Sequence, residues 1–150
     1  MFLTAIAAPA GEDEELRFAE GLAAYDAGDF ETAIEAWQPL AEAGNLEAQV
    51  SLADIYMNGL GVAADPGRAV AWYRRAAEAG DPVAQLNLGD FYARGFGVAR
   101  DPVEAFVWLD LAARQGKRWA AKRRDEIAPQ LDAAQRAEAR TRIERYRPTE

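Results

Sequence analysis

Residues 48–80 read AQVSLADIYMNGLGVAADPGRAVAWYRRAAEAG, and residues 84–116 read AQLNLGDFYARGFGVARDPVEAFVWLDLAARQG. The two stretches overlay when the sequence is shifted by 36 residues, from the opening Ala-Gln pair through an Asp-Pro pair to the closing Gly. So many matches at one period are typical of repeat proteins, in which each unit is one supersecondary structure. The sequence therefore predicts an array of stacked units rather than a globule around one central core.

Each unit is expected to form two helices. An apolar stripe at helical spacing predicts a first helix over about residues 46–57. Gly59 and Gly61 predict the turn after it, because glycine tolerates left-handed backbone angles. Asp65 followed by Pro66 predicts the start of the second helix, since Asp caps free backbone amides and Pro needs no amide partner at the first helical position. Three tryptophans fall on the inner stripes of second helices and are expected in the core: Trp37, Trp72 and Trp108.

The repeat frame extends in both directions. Repeats are expected at about residues 14–44, 45–80 and 81–116. In the first unit the loop between helices is five residues shorter, so Asp29 is expected to cap the second helix directly. Residues 117–148 predict a C-terminal cap of two helices, which stacked repeats need to shield their last apolar surface. The final helix should turn four residues inward: Ala133, Ala137, Ile143 and Tyr146.

Composition limits the chemistry of this chain. Its 150 residues include no histidine and no cysteine, so the usual zinc sites, a nucleophile activated by histidine and disulfide bonds are all excluded. The sequence predicts no catalytic residue, no metal ligand and no cofactor. The 34 alanines favour helices that approach closely.

The charge is unevenly distributed. The net charge is −8, and residues 1–50 hold 11 acidic side chains against one basic side chain. This balance argues against nucleic-acid binding. A basic group near the C-terminus is either a solvated helix face or a steering patch for a partner: Lys117, Arg118, Lys122, Arg123 and Arg124.

The pattern A-Q-x-x-L-[AG]-x-x-Y-x-x-G-x-G-V-x-x-D-P-x-x-A-x-x-W-x-x-x-A-A-x-x-G, present twice, resembles the Sel-1-like repeat. The first unit, with Gly-Asp-Phe at residues 28–30 and a short loop, resembles a tetratricopeptide repeat. Residues 130–148 resemble the capping helix that follows such arrays. The resemblance implies an all-α, right-handed superhelical solenoid of bacterial type and a role as an adaptor or scaffold. Some secreted relatives carry one disulfide per repeat, and this cysteine-free chain departs from them.

The resemblance also implies a concave surface lined by the first helices. Asp54 and Asp90 are 36 residues apart, with Asp26 as the expected counterpart in the first unit. A groove with apolar positions and a row of acids suits a peptide with basic residues, although the same positions could be solvated helix faces. The candidate binding residues are Tyr25, Asp26, Glu47, Val50, Asp54, Met57, Val83, Leu86, Asp90 and Arg94.

The favoured function is a protein–protein interaction adaptor with no catalysis, monomeric or weakly self-associating. One alternative is a bacterial envelope protein that binds a cell-wall or saccharide component. Residues 1–10, MFLTAIAAPA, motivate it, because they resemble a signal-peptide remnant that lacks a basic start. Otherwise residues 1–12 are a flexible terminus before a single domain at 13–148. Two further alternatives are a carboxylate enzyme and end-to-end assembly of arrays. No membrane span is expected, and the sequence slightly favours the cytoplasm over the periplasm or secretion.

Overall fold

The computed structural model describes residues 10–146, and the regular structure in this range is helical throughout. It comprises eight α-helices and one 3₁₀ turn at Ala128–Gln130. The prediction of an all-α solenoid is confirmed. The helices are α1 (Ala10–Asp26), α2 (Phe30–Glu42), α3 (Leu46–Asn58), α4 (Pro66–Glu78), α5 (Pro82–Arg94), α6 (Pro102–Arg114), α7 (Arg118–Ile127) and α8 (Ala133–Arg145).

The helices pack in the order in which the chain makes them. In each repeat the first helix packs on the second, and the second packs on the first helix of the next repeat, from α1 to α7. One continuous apolar core runs through the array and includes many fully buried alanines. The three tryptophans predicted to be core residues, Trp37, Trp72 and Trp108, are all buried.

The helix ends follow the predicted chemistry. Asp65 Oδ1 accepts a hydrogen bond from the backbone N–H of Arg68 at 2.9 Å, which satisfies an amide that the helix leaves free. Asp29 and Asp101 cap α2 and α6 in the same way. Gly59 ends α3 with a φ of 65°, in the left-handed region. These predictions are confirmed. Caps can be predicted from the sequence because each depends only on residues within a few positions of the helix end.

Two glycines establish the register of the first repeat. A Cβ added at Gly21 would lie 2.3 Å from Nε1 of Trp37, and one added at Gly89 would lie 2.7 Å from Cγ of Leu109. Trp37 and Leu109 are two 36-residue periods apart, so Gly21 and Gly89 are equivalent. Leu22, rather than Asp26, is then the counterpart of Asp90. The expected equivalence of Asp26 was wrong, and so was the expected loop difference of five residues. Residues 27–29 join α1 to α2 and residues 59–65 join α3 to α4, so the first loop is four residues shorter.

Two buried glutamines join neighbouring repeats. Gln49 Nε2 donates to the carbonyl of Ala41 at 2.9 Å, and Gln85 Nε2 donates to the carbonyl of Ala77 at 3.2 Å. Each link runs from the first helix of one repeat to the end of the second helix before it. Gln85 Oε1 also accepts a hydrogen bond from Gln115, whereas Gln49 Oε1 is buried without a partner.

The C-terminal helix α8 packs against α6 rather than mainly against α7. Ile143 is buried as predicted, and the ring of Tyr146 lies 4.7 Å from that of Trp108, centroid to centroid. Ala133 and Ala137 are exposed, so their predicted inward placement was wrong. The buried alanine is Ala139, one turn before Ile143 and about 200° around the helix from Ala137.

The prediction for the N-terminus falls mostly outside the described residues. Helix α1 begins at Ala10, so residues 10–12 already belong to it. Residues 1–9, which carry most of the predicted signal remnant, and residues 147–150 lie outside the described part, and the domain limits at 13 and 148 stay a prediction. In the range 10–146, no helix is both long and apolar enough to cross a membrane.

Candidate functional site

The candidate surface is the exposed side of α1, α3, α5 and α7, which we call the first-helix face. Three cavities open on it. One lies between α1 and α3 (about 420 Å³), one extends from α1 over α3 to the start of α5 (about 430 Å³), and one lies between α5 and α7 (about 410 Å³). The first two share Phe18 and Glu47, so they form one continuous groove.

This continuous groove has an apolar floor and an acidic rim. Its apolar side chains include Leu22, which is 46% exposed, and Val83, which is 39% exposed. Among the described residues that line it, none is basic. The apolar members are Phe18, Ala19, Leu22, Val50 and Val83, and the acidic members are Glu14, Glu15, Glu47 and Asp81.

The third cavity has different chemistry. Trp119 is 50% exposed there, and the guanidinium of Arg123 lies 5.7 Å from the centroid of its ring. The other lining residues are Asp90, Arg94, Lys122 and Glu126. An exposed tryptophan held by a cation is an available contact surface, since aromatic side chains supply much of the binding energy at protein interfaces.

The acid of the third cavity is occupied within the chain. Asp90 is buried, and its two carboxylate oxygens bind Arg94 at 2.9 Å and Arg123 at 3.0 Å. Glu126 binds the same Arg123 at 2.6 Å. A carboxylate enzyme needs acids that converge on one substrate bond, whereas these two converge on an arginine. In the described part of the chain, no group of three or more acids could hold a metal ion.

Asp54 is also occupied. The hydroxyl of Tyr73 donates a hydrogen bond to it, and burial raises the pKa of Asp54, while this hydrogen bond opposes that rise. Burial, and then the neighbouring Asp54, raise the pKa of Tyr73, which therefore stays protonated as the donor. The open row of acids expected at Asp26, Asp54 and Asp90 is thus absent from the described structure, because Asp54 is bound within the second repeat and Asp90 is bound to α7.

The structure places the ten candidate residues in four groups. Tyr25 packs on Trp37 and Phe30, and Met57 and Leu86 pack against the core. Asp26 is exposed at the end of α1, and no described cavity includes it. Asp54 lies between helices. The remaining five line the cavities of the first-helix face: Glu47, Val50, Val83, Asp90 and Arg94.

The five basic residues near the C-terminus form two sets, those with an ion-pair partner and those without one among the described residues. Arg123 binds Asp90, and Arg124 binds Asp110 at 2.9 Å, so both side chains join α7 to the third repeat. Lys117, Arg118 and Lys122 make no ion pair among the described residues. The expectation of one solvated or steering patch was therefore wrong for Arg123 and Arg124, whose buried partners lie on α5 and α6.

Sequence reasoning left Trp119 and Lys122 out of the candidate site. The period contained the signal, because Trp119 follows Val83 by 36 residues and Lys122 follows Leu86 by 36 residues. Helix α7 thus repeats the register of a first helix, and it presents its side chains to the same face. Glu14 and Glu15 were missed because the first repeat has a shifted register.

Comparisons with known proteins agree with this architecture. The profile of the family described as Sel1 repeat matches residues 46–81 and 82–117. A Sel1 repeat protein from Oxalobacter formigenes is 39% identical, with a TM-score of 0.69, and the match covers 77% of this chain and 90% of that one. Among curated proteins, the sequence comparison found no match.

A second solved structure is similar over a longer part of this chain. It is a protective antigen present in uropathogenic Escherichia coli strains that displays an SLR fold. The two are 29% identical, with a TM-score of 0.80, and the match covers 91% of this chain. The chain spans only 30% of the length of that antigen.

Proposed function

Because the chain belongs to the Sel1 repeat family, whose members are generally protein-interaction scaffolds, we propose that it is an adaptor that binds a peptide or protein segment along its first-helix face. We propose that it has no catalytic activity of its own. The observation that carries the proposal is the series of cavities across α1, α3, α5 and α7, lined by exposed apolar side chains.

The exposed apolar residues give the face its binding capacity. Leu22, Val83 and Trp119 belong to the few large apolar side chains that are more than a third exposed in the described structure. Burying apolar surface contributes about 25 cal/mol for each Å² removed from water. Tryptophan is among the residues that most often dominate binding energy. A partner segment that covered these three side chains would gain most of its affinity from them.

The proposal assigns separate roles to the candidate residues. Glu47, Val50, Val83 and Arg94 belong to the contact surface. Asp54 and Asp90 act indirectly, since their hydrogen bonds fix the helices that carry that surface. Tyr25, Met57 and Leu86 support the helices from the core side.

Site-specific photocrosslinking in cells of the native host tests this function. A photoreactive residue at Val83 probes the first-helix face, and one at Ala71 is the matched control on the exposed side of the second helix α4. We expect strong protein adducts from position 83 and weak adducts from position 71. The substitution Val50→Glu should remove the adducts at position 83. Equal adducts from both positions, or none from position 83, would contradict the proposal.

A further inference from the structure

The first-helix face carries opposite charge at its two ends. The groove along α1 and α3 presents Glu14, Glu15 and Glu47, and Asp81 lies at the start of α5. The charged residues that line the cavity between α5 and α7 are three cations and two acids, a net charge of +1: Arg94, Lys122, Arg123, Asp90 and Glu126. Each end also offers apolar contact surface, at Leu22 and Val83 on the acidic end and at Trp119 on the basic end.

Ion pairs within the chain decide which charges at the basic end are available to a ligand. Asp90 and Glu126 line the basic end, but Arg123 binds both carboxylates and Arg94 binds Asp90 as well. Lys122 is exposed and has no ion-pair partner among the described residues. Lys117 and Arg118 add charge at the start of the same helix. The two arginines are neutralised together with the two acids, so a ligand at this end meets the unpaired charge of Lys122, while a ligand on α1 and α3 meets carboxylates.

The dimensions of the face suit one short segment. Directly packed helices lie about 8–10 Å apart, and successive first helices are separated by at least this distance because each packs mainly on second helices. The three steps from α1 to α7 therefore span at least about 24–30 Å, which an extended chain of about nine or more residues covers at about 3.3 Å per residue. A single peptide segment can therefore contact both ends at once, and charge complementarity would fix its direction and register.

Building on the proposed function, we propose that the partner is a peptide segment with a split charge pattern. Its basic residues lie over α1 and α3, and its acidic residues lie over α7. Apolar residues between them contact Val83 and Trp119. This pattern adds an acidic half to the peptide with basic residues that the sequence suggests, because two of the expected acids are held inside the array.

A selection from a random 14-residue peptide-display library tests the charge pattern. The bait is the full chain. Peptides that also bind a blocked variant are discarded, and in that variant a cysteine introduced at position 83 carries a bulky maleimide. The natural sequence has no cysteine, so this label is unique. We expect the retained peptides to carry net positive charge in one half and net negative charge in the other.

Two further measurements locate the basic and acidic halves of the retained peptides on the first-helix face. The basic half should crosslink to a cysteine placed at Ser51, and the acidic half to one placed at Glu126, which is one turn from Lys122 and leaves that cation in place. Lys122→Glu should weaken the retained peptides about fivefold or more at low salt, whereas Arg140→Glu, the same charge change on the exposed side of α8, should leave their affinity unchanged.

The outcomes separate the two proposals. Retained peptides of uniform charge would overturn the split pattern and leave the proposed function standing. Failure to retain any peptide that depends on position 83 would contradict the proposed function itself. Light scattering of the chain alone provides the remaining check. If the acidic end of one copy bound the basic end of another, the occupant would be a second copy and the inference would be overturned.

Discussion

The hydroxyl of Tyr73 on α4 donates a hydrogen bond to the carboxylate of Asp54 on α3, and this bond joins the two helices of the second repeat. In the third repeat the equivalent positions are Leu109 and Asp90, so no hydroxyl is available there. Arg123 of α7 binds Asp90 instead. The same acid position therefore connects helices within one repeat and connects a repeat to the C-terminal cap in the next.

Tyr73→Phe should destabilise the fold. The substitution keeps the ring but leaves the half-buried carboxylate of Asp54 without its donor, and such a loss costs about 1–2 kcal/mol. Urea unfolding followed by circular dichroism would measure the change. Tyr25→Phe is the control, because no described hydrogen bond involves that hydroxyl. Equal losses from both substitutions would show that the Asp54 bond contributes nothing specific.

Asp54→Asn should change how stability depends on pH. Burial raises the pKa of Asp54 in the folded chain above its ordinary value of 3.8. Its favourable contribution is therefore fully present below about pH 3.8 and is lost as pH rises through the folded pKa. Asn can accept the Tyr73 bond without a buried charge. We expect the variant to match or exceed the natural chain in unfolding free energy at pH 7.

Urea unfolding at pH 4, 5 and 7 would follow the Asp54→Asn difference. Any advantage of the variant should shrink as pH falls towards 3.8, because the natural carboxyl then becomes neutral too. An advantage that grows with acidification would have the wrong sign for a raised pKa.

Gly21→Ala should destabilise the first repeat by about 1–3 kcal/mol. The added Cβ would lie 2.3 Å from Nε1 of Trp37, which must move and strain its hydrogen bond to the carbonyl of Phe18. Gly11→Ala in the same helix meets open space and should be neutral or slightly stabilising. Thermal unfolding of both variants tests the close approach, and similar melting temperatures would argue against it.

Arg123→Met should loosen α7 from the third repeat. Asp90 is 8% exposed and would retain Arg94 alone, and leaving a buried acceptor short of partners costs about 1–3 kcal/mol. Arg118→Met, at an exposed position of the same helix, is the control. Adding Asp90→Asn to Arg123→Met should recover part of the loss, as measured by chemical denaturation. No recovery would mean that Arg123 acts by packing alone.

Ala79→Gln should stabilise the array. Gln115 donates to the carbonyl of Gly80 and to Gln85 Oε1, both at 2.9 Å. The position one period earlier is the exposed Ala79, and the repeat makes the unpartnered Gln49 Oε1 the counterpart of Gln85 Oε1. Restoring this bond should add about 0.5–1 kcal/mol to the free energy of unfolding. Ala79→Met, of similar length but without an amide, should give no comparable gain in urea unfolding.

The repeat helices could be predicted because their signals are local. Asp65 and Asp101 each accept hydrogen bonds from backbone N–H groups no more than three residues away, and the tryptophans fall on stripes set by helical spacing. None of this needs knowledge of distant contacts. The C-terminal half of the candidate site could also have been predicted from the sequence, because Trp119 occupies the same position in its repeat as Val83.

The partners of the charged residues could not be predicted in the same way. Arg123 and Asp90 are 33 residues apart and meet only because α7 packs on α5 and α6. A carboxylate counted as available in the sequence is therefore neutralised in the fold. Ala137 and Ala139 are similar in sequence context, and only the approach of α8 to α6 decides which of them is buried.

The glutamine links between repeats bear on how such a protein can change in length over evolution. In each link the glutamine and the carbonyl it binds are eight residues apart, across one repeat boundary. Duplication of a whole 36-residue segment would supply a new glutamine together with the carbonyl eight residues before it, in the same geometry. The new boundary between repeats would therefore have the same link. Gene duplication in whole repeats can thus lengthen this array without altering the links on either side.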